Sequence, residues 1–165
     1  MQTIWRGLRR ERGVKKTPKE ALKRDLLLDV LPPPPADNQP KAKRLAAARN
    51  RAIMLLAFSG AFRRSEVASL NVDDVEYDEV GVAVTLTRSK TNQEGLLETV
   101  LIPFAENEDL DAARAIATWI KLAGITEGAL FRALDRHGNI RGRIQPALVA
   151  TLVKGSMSLR PQTPS

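Results

Sequence analysis

Apolar residues along the 165-residue chain recur with two different periods, and the change between them divides the sequence. From Lys41 the spacing is helical. Ala46 to Phe58 is rich in Ala, Leu, Ile and Met and apolar on almost every side after Arg51, which predicts a buried helix. Ser59-Gly60 stops it, glycine being the usual residue just past a helix end. A second helix, over about Arg63 to Leu70, follows a tight turn and breaks at Asn71 to Asp74. Between Val75 and Pro103 the period falls to about two. There Val80 to Thr87 reads as a strand, Ser89 to Gly95 as a polar turn, and Leu97 to Ile102 as the partner strand of a β-hairpin. Helical spacing returns over Asp109 to Leu122, with Leu110, Ala113, Ile116, Ala117 and Ile120 on one face and Gly124 at its end. Leu130-Phe131 sits near a short extended segment, Arg132 to Arg143 reads as a basic polar loop, and Pro146 to Lys154 as a last helix.

Upstream, residues 1–16 mix Ile4, Trp5 and Leu8 with arginines, in the manner of a helix end. Thr17-Pro18 can start a short helix with proline in its first position, striped by Leu22, Leu26, Leu27 and Val30. Pro32 to Pro35 is a stiff polyproline stretch that forms a loop or linker with Ala36 to Pro40. The order describes a mainly α chain with a small antiparallel β-hairpin or sheet, an α+β class that fits many functions.

Composition narrows the chemistry. Hydrophobic residues make up 43% and charged residues 27%, ordinary for a soluble globular domain. Cysteine is absent and His137 is the one histidine, which excludes a disulfide framework, thiolate chemistry and a multi-histidine metal site. No apolar run reaches the length of a membrane span, and the basic N-terminus has no adjoining apolar region, so a cytoplasmic location is expected. The formal net charge is +7, and it is unevenly placed: 13 of the 26 Lys/Arg but 5 of the 19 Asp/Glu fall within residues 1–50. A basic N-terminal segment suits a polyanionic partner, and equally suits a solvated tail.

Two residues carry candidate chemistry. Arg63 lies at or near the start of the second helix, where backbone N–H groups and the helix dipole favour an anion, and a guanidinium there can hold two phosphate oxygens. Glu66, one turn on, is placed to orient it. By spacing alone Arg63 is also an ordinary solvated helix start. Lys90 sits at the hairpin tip, where an ammonium can donate a proton to a departing oxygen; turn lysines are also commonly just surface.

Taken together these segments resemble the tyrosine recombinases, which include phage integrases and chromosome-dimer resolvases. Ala52 to Leu70 looks like the family's first arginine box, a G-x-x-R-x-S-E-hydrophobic run after an apolar helix. Asn71 to Asp74 resembles its continuation into the sheet, Arg88 to Gly95 its lysine-bearing hairpin, and Gly128 to Phe131 the segment before its next helix. The similarity runs from about residue 41 to 154. It implies a partial recombinase catalytic domain over 41–154, preceded in 1–40 by the basic end of a core-binding domain plus linker and followed by a disordered tail over 155–165. The implied chemistry is DNA breaking and rejoining through a 3′-phosphotyrosine, with no metal or cofactor. The resemblance makes Arg63 a catalytic phosphate ligand, Glu66 its support and Lys90 the general acid, with Arg64, Arg88, Arg9 and Arg10 as DNA contacts. Double-stranded DNA, at the nucleoid, and other recombinase protomers are the implied partners, and no membrane is.

The family pattern then continues with an H-x-x-R box and a late nucleophilic tyrosine. Tyr77, the chain's one tyrosine, lies before the hairpin and reads as a packing residue. His137 to Arg141 has one residue too many for H-x-x-R, and Met157-Ser158-Leu159-Arg160 follows the last helix too closely. The expectation is therefore a truncated recombinase, inactive alone, with an exposed apolar patch and marginal stability. The alternative is a non-catalytic DNA-binding or regulatory module using the basic N-terminus with Arg132, Arg136, Arg141 and Arg143, or a module that pairs with an intact recombinase.

Overall fold

The structure, a computed structural model, describes residues 24–86 and 98–158. Its helices are α1 (Arg24–Val30), α2 (Lys41–Ser59), α3 (Arg64–Ser69), α4 (Ala112–Ala123) and α5 (Pro146–Ser158). Its strands are β1 (Val75–Asp78), β2 (Gly81–Leu86), β3 (Glu98–Pro103), β4 (Arg132–Leu134) and β5 (Ile140–Arg143), with single 3-10 turns at Val72–Asp74 and Glu108–Leu110. The chain has the mainly helical α+β character that its pattern predicts.

The apolar run in α2 makes it the centre of the domain. Ala52, Ile53, Leu55 and Leu56 are fully buried, and α4 is the helix packed most extensively against it. In α4 the buried stripe is Ala112, Ala113, Ile116 and Trp119. This corrects the expected face: Ala117 is exposed, and Trp119 takes the central place. The start of the helix also moves. Glu108–Leu110 forms a 3-10 turn, and α4 begins only after Asp111, whose buried carboxylate accepts the Arg114 N–H at 2.9 Å and the Ala105 N–H at 3.2 Å. That cap satisfies one of the orphan donors of the first turn.

Strands β1, β2 and β3 form an antiparallel meander, so the expected hairpin is the β2–β3 pair of a three-stranded sheet. The period of two holds in β2: Val82, Val84 and Leu86 face the core, and Val82 sits opposite Ile102 of β3. Arg132 to Arg143, read from sequence as a loop, is instead a second antiparallel hairpin, β4–β5. Its tip is organised by Asp135, whose carboxylate accepts the N–H groups of His137 and Asn139, the Asn139 side-chain amide and the Arg141 guanidinium. The side-chain and backbone N–H groups of Asn139, with those of His137 and Arg141, hold that carboxyl well below the usual range. Helix α5 runs on to Ser158, past the expected end at Lys154, because the first helix-breaking residue beyond it is Pro161.

Two arginines belong to the interior, Arg49 of the basic residues 1–50 and Arg51 just beyond them. Arg51 donates to the Pro32 carbonyl at 2.7 Å and to the backbone and carboxylate of Asp109 at 2.7 and 2.9 Å, so the proline stretch is fastened to the domain. Leu27 and Val30 of α1 reach the same core. Arg49, 6% exposed, bonds to Asn50 and to the Arg132 carbonyl, and burial pushes its guanidinium down from its ordinary value. Large apolar side chains do reach solvent: Leu28, Phe58, Tyr77, Val80, Leu101 and Phe104 are exposed. Leu27, Phe58, Ile102, Phe104 and Leu110 line an open groove of about 300 Å³. Among the described residues no helix is long and apolar enough to cross a membrane.

Candidate functional site

The turn between α2 and α3 sets the site. The N–H of Gly60 closes α2 on the Leu56 carbonyl, and the Phe62 N–H returns to Ala57 at 3.1 Å, so the Phe62 ring turns inward and is buried. A Cβ on Gly60 would lie 2.2 Å from that ring, which explains the glycine. The next residue is the anomaly: Ala61 has φ +52°, a left-handed conformation that costs an L-residue roughly 1–2 kcal/mol. Replacing Ala61 by glycine is expected to raise stability by about 1 kcal/mol, and Gly60→Ala to lower it by a similar amount or more. Paired urea melts check both signs, and an Ala61→Gly protein no more stable than the parent contradicts the strain.

Past this turn the backbone of Arg63 is extended, at φ −71° and ψ 151°, and α3 begins at Arg64. Glu66 holds Arg63 at two points. One carboxylate oxygen accepts the Arg63 backbone N–H at 2.7 Å, and the other accepts the guanidinium at 2.9 Å. The Glu66 side chain is 11% exposed and that of Arg63 is 66% exposed, so a sheltered carboxylate aims a guanidinium at solvent. Such an exposed pair adds little stability, about 0–1 kcal/mol, and its value here is directional. With six residues, α3 is too short for much of a dipole, so the guanidinium itself carries the attraction for an anion. Arg64 and Ser65 are also exposed at this end.

Lys90, Arg88, Arg9 and Arg10 lie outside the described residues. Among the described ones, Arg63, Arg64 and Glu66 come together as the spacing predicts. The arginines of the β4–β5 hairpin do not form a free basic face. Arg132 donates to the carbonyls of Ala129 and Glu127, Arg141 pairs with Asp135, and Arg143 reaches the far end of α3, where it donates to the carbonyls of Ala68, Ser69 and Leu70 and to the Asn71 side chain. Arg136 bonds to the imidazole of His137. The role of Arg143 is the one that sequence reasoning missed; its partners are backbone carbonyls more than seventy residues upstream, which leave no mark on side-chain spacing. Tyr77 donates its hydroxyl to the Ala113 carbonyl at 3.1 Å, and burial, then Asp111, push its pKa up, both unfavourable to a nucleophile.

Comparison with known proteins meets this geometry. No protein-family model matches the sequence. An integrase/recombinase XerD homolog of Selenomonas ruminantium is 33% identical over 118 residues, covering 71% of this chain and 35% of that protein. The chain belongs to the tyrosine recombinase family. A tyrosine recombinase XerC of Chromobacterium violaceum is 35% identical over 97 residues, 58% of this chain and 28% of that protein. The alignments thus span about a third of the length of these recombinases, and most of the chain described here. The α+β arrangement around α2 and α4 is consistent with part of a recombinase domain.

Proposed function

We propose that this chain is the phosphate-binding part of a site-specific recombinase's catalytic domain, that it binds double-stranded DNA, and that its 165 residues by themselves form no covalent link to DNA. The observation that carries the reading is the exposed Arg63 guanidinium, held by Glu66 at both backbone and side chain. A guanidinium so fixed can donate two N–H groups to the non-bridging oxygens of a phosphodiester and stabilise charge that develops there during attack. Lys90, on the segment joining β2 to β3, would protonate the leaving 5′-oxygen, while a tyrosine takes the 3′-phosphate. Arg64, Arg88, Arg9 and Arg10 would contact the DNA backbone. Residues 1–40 would form the basic approach and linker, packed on the domain through α1 and Pro32, with 41–154 the partial catalytic domain, whose last helix runs on to Ser158 in the 155–165 tail, and with work at the nucleoid beside other recombinase protomers.

Tyr77 is a poor nucleophile for the reasons given, and a catalytic unit that lacks one member loses almost all of its effect. A duplex carrying a phosphorothiolate at the scissile position tests this, because it traps any phosphotyrosyl product. No covalent adduct is expected from the 165 residues, together with salt-sensitive DNA binding. An adduct overturns the proposed inactivity, and no binding at low salt removes the DNA role. Arg63→Ala is expected to weaken binding about tenfold, the loss of one charge-assisted contact pair, while Glu66→Gln gives a smaller loss. Fluorescence anisotropy on a labelled duplex measures both.

A further inference from the structure

We propose that Arg143 is a positioning residue for Arg63: by gripping the C-terminal end of α3, it sets the direction in which the Arg63 guanidinium meets a DNA phosphate. The inference rests on the reading of Arg63 as a phosphate contact.

Helix α3 has six residues, too few to be stable by its own hydrogen bonds, and its last carbonyls have no partners within the helix. Arg143 supplies them. One terminal nitrogen lies 3.1, 2.6 and 2.9 Å from the carbonyl oxygens of Ala68, Ser69 and Leu70, and the other donates to Asn71 Oδ1. The grip comes from a firm base. Arg143 pairs across the β4–β5 hairpin with Arg132, which is itself tied to the carbonyls of Glu127 and Ala129. The chain leaving α3 is laced to the same region, with Leu130 N–H on Leu70 O and Val72 N–H on Gly128 O, each at 2.9 Å.

At its other end α3 holds Arg63 through Glu66. A helix of this length is about 9 Å long, so a tilt of about 10° at one end carries the other by about 1.5 Å. That exceeds the roughly 0.5 Å within which a binding group must be held. Two arginines more than seventy residues apart therefore act on one short rod, one facing solvent and one fixing its base.

Anisotropy with a fluorescent duplex at about 50 mM salt, on the full 165-residue chain, tests the coupling. Arg63→Ala and Arg143→Ala are each expected to weaken binding, by about tenfold and about fivefold. The double variant is expected to bind within about twofold of Arg63→Ala alone, because Arg143 acts through Arg63. Arg143→Lys, which keeps the charge but not the fork of donors, is expected to retain part of the loss and to lose it in the Arg63→Ala background. Thermal melts by circular dichroism verify folding, and if Arg143→Ala does not fold, the Arg143→Lys pair decides. Additive losses would mean that Arg143 touches DNA itself and overturn the proposal. So would a lowered melting temperature with unchanged affinity, which marks a merely structural role. If the parent chain does not bind, or Arg63→Ala binds as tightly as the parent, the phosphate role of Arg63 falls and this inference with it.

Discussion

Replacing Trp119 by alanine will cost about 3–5 kcal/mol, the range for deleting a large aromatic from a packed interior. The indole is fully buried in the face of α4 that meets α2, and its N–H donates to the Leu130 carbonyl at 2.9 Å. The substitution therefore opens a cavity and strips a donor from a carbonyl in the segment that also pairs with Leu70. Domains of this kind have only about 5–15 kcal/mol in total, so the variant will be largely unfolded at moderate urea concentrations where the parent is folded. Trp119→Phe separates the two losses, since it fills most of the space without the hydrogen bond, and its cost will be about 1–2 kcal/mol. Urea titrations followed by circular dichroism measure both. A Trp119→Ala penalty under about 1 kcal/mol would show that α4 does not anchor the core through this residue.

Gly81→Ala is the second large effect. Gly81 opens β2 opposite Pro103, and a Cβ there would lie 2.1 Å from the Ile102 carbonyl oxygen and 2.7 Å from Pro103 Cα. These are backbone atoms and cannot swing aside as a side-chain tip does. One methyl must therefore push β2 and β3 apart at that end, at a cost of about 2–3 kcal/mol. Residues 87–97, with the proposed general acid Lys90, follow β2 and precede β3 in the sequence. A variant that is folded but has a displaced sheet is expected to show altered backbone chemical shifts along Val82, Val84, Val100 and Ile102. Unchanged shifts and an unchanged urea midpoint would refute the close approach.

The parts of the fold that were legible in sequence are those whose burial is periodic. Helix α2, the core face of β2 and, in α4, the buried positions Ala113 and Ile116 follow from apolar spacing alone. Strand β1 was missed because Glu76, Tyr77 and Asp78 are all exposed and only Val75 is half-buried, so no alternation marks it. The β4–β5 hairpin was missed because its residues are polar and its order comes from Asp135 and from backbone pairing. The site divides along the same line. Arg63 and Glu66 are three residues apart and speak to each other locally, whereas Arg143 meets carbonyls that every residue has. Arg49 counts with the basic N-terminal charge by position, and its burial is not legible there because it depends on which carbonyls tertiary structure brings to it. The family resemblance, carried by local motifs, holds.

The brevity of α3 also sets a timescale. A helix of six residues offers its amides few internal acceptors, so their resistance to deuterium from solvent is borrowed from the neighbours that hold it. In the middle of α2, Ile53 to Leu56 can exchange only when much of the domain opens. The amides of α3 are held by Glu66 at one end, by Arg143 at the other and by the buried Val67 and Ala68 between them, a smaller set of supports than α2 has. The arginine-bearing turn, exposed at Ala61, Arg63, Arg64 and Ser65, is thus expected to be labelled well before the helix that precedes it, through openings smaller than those that free the middle of α2.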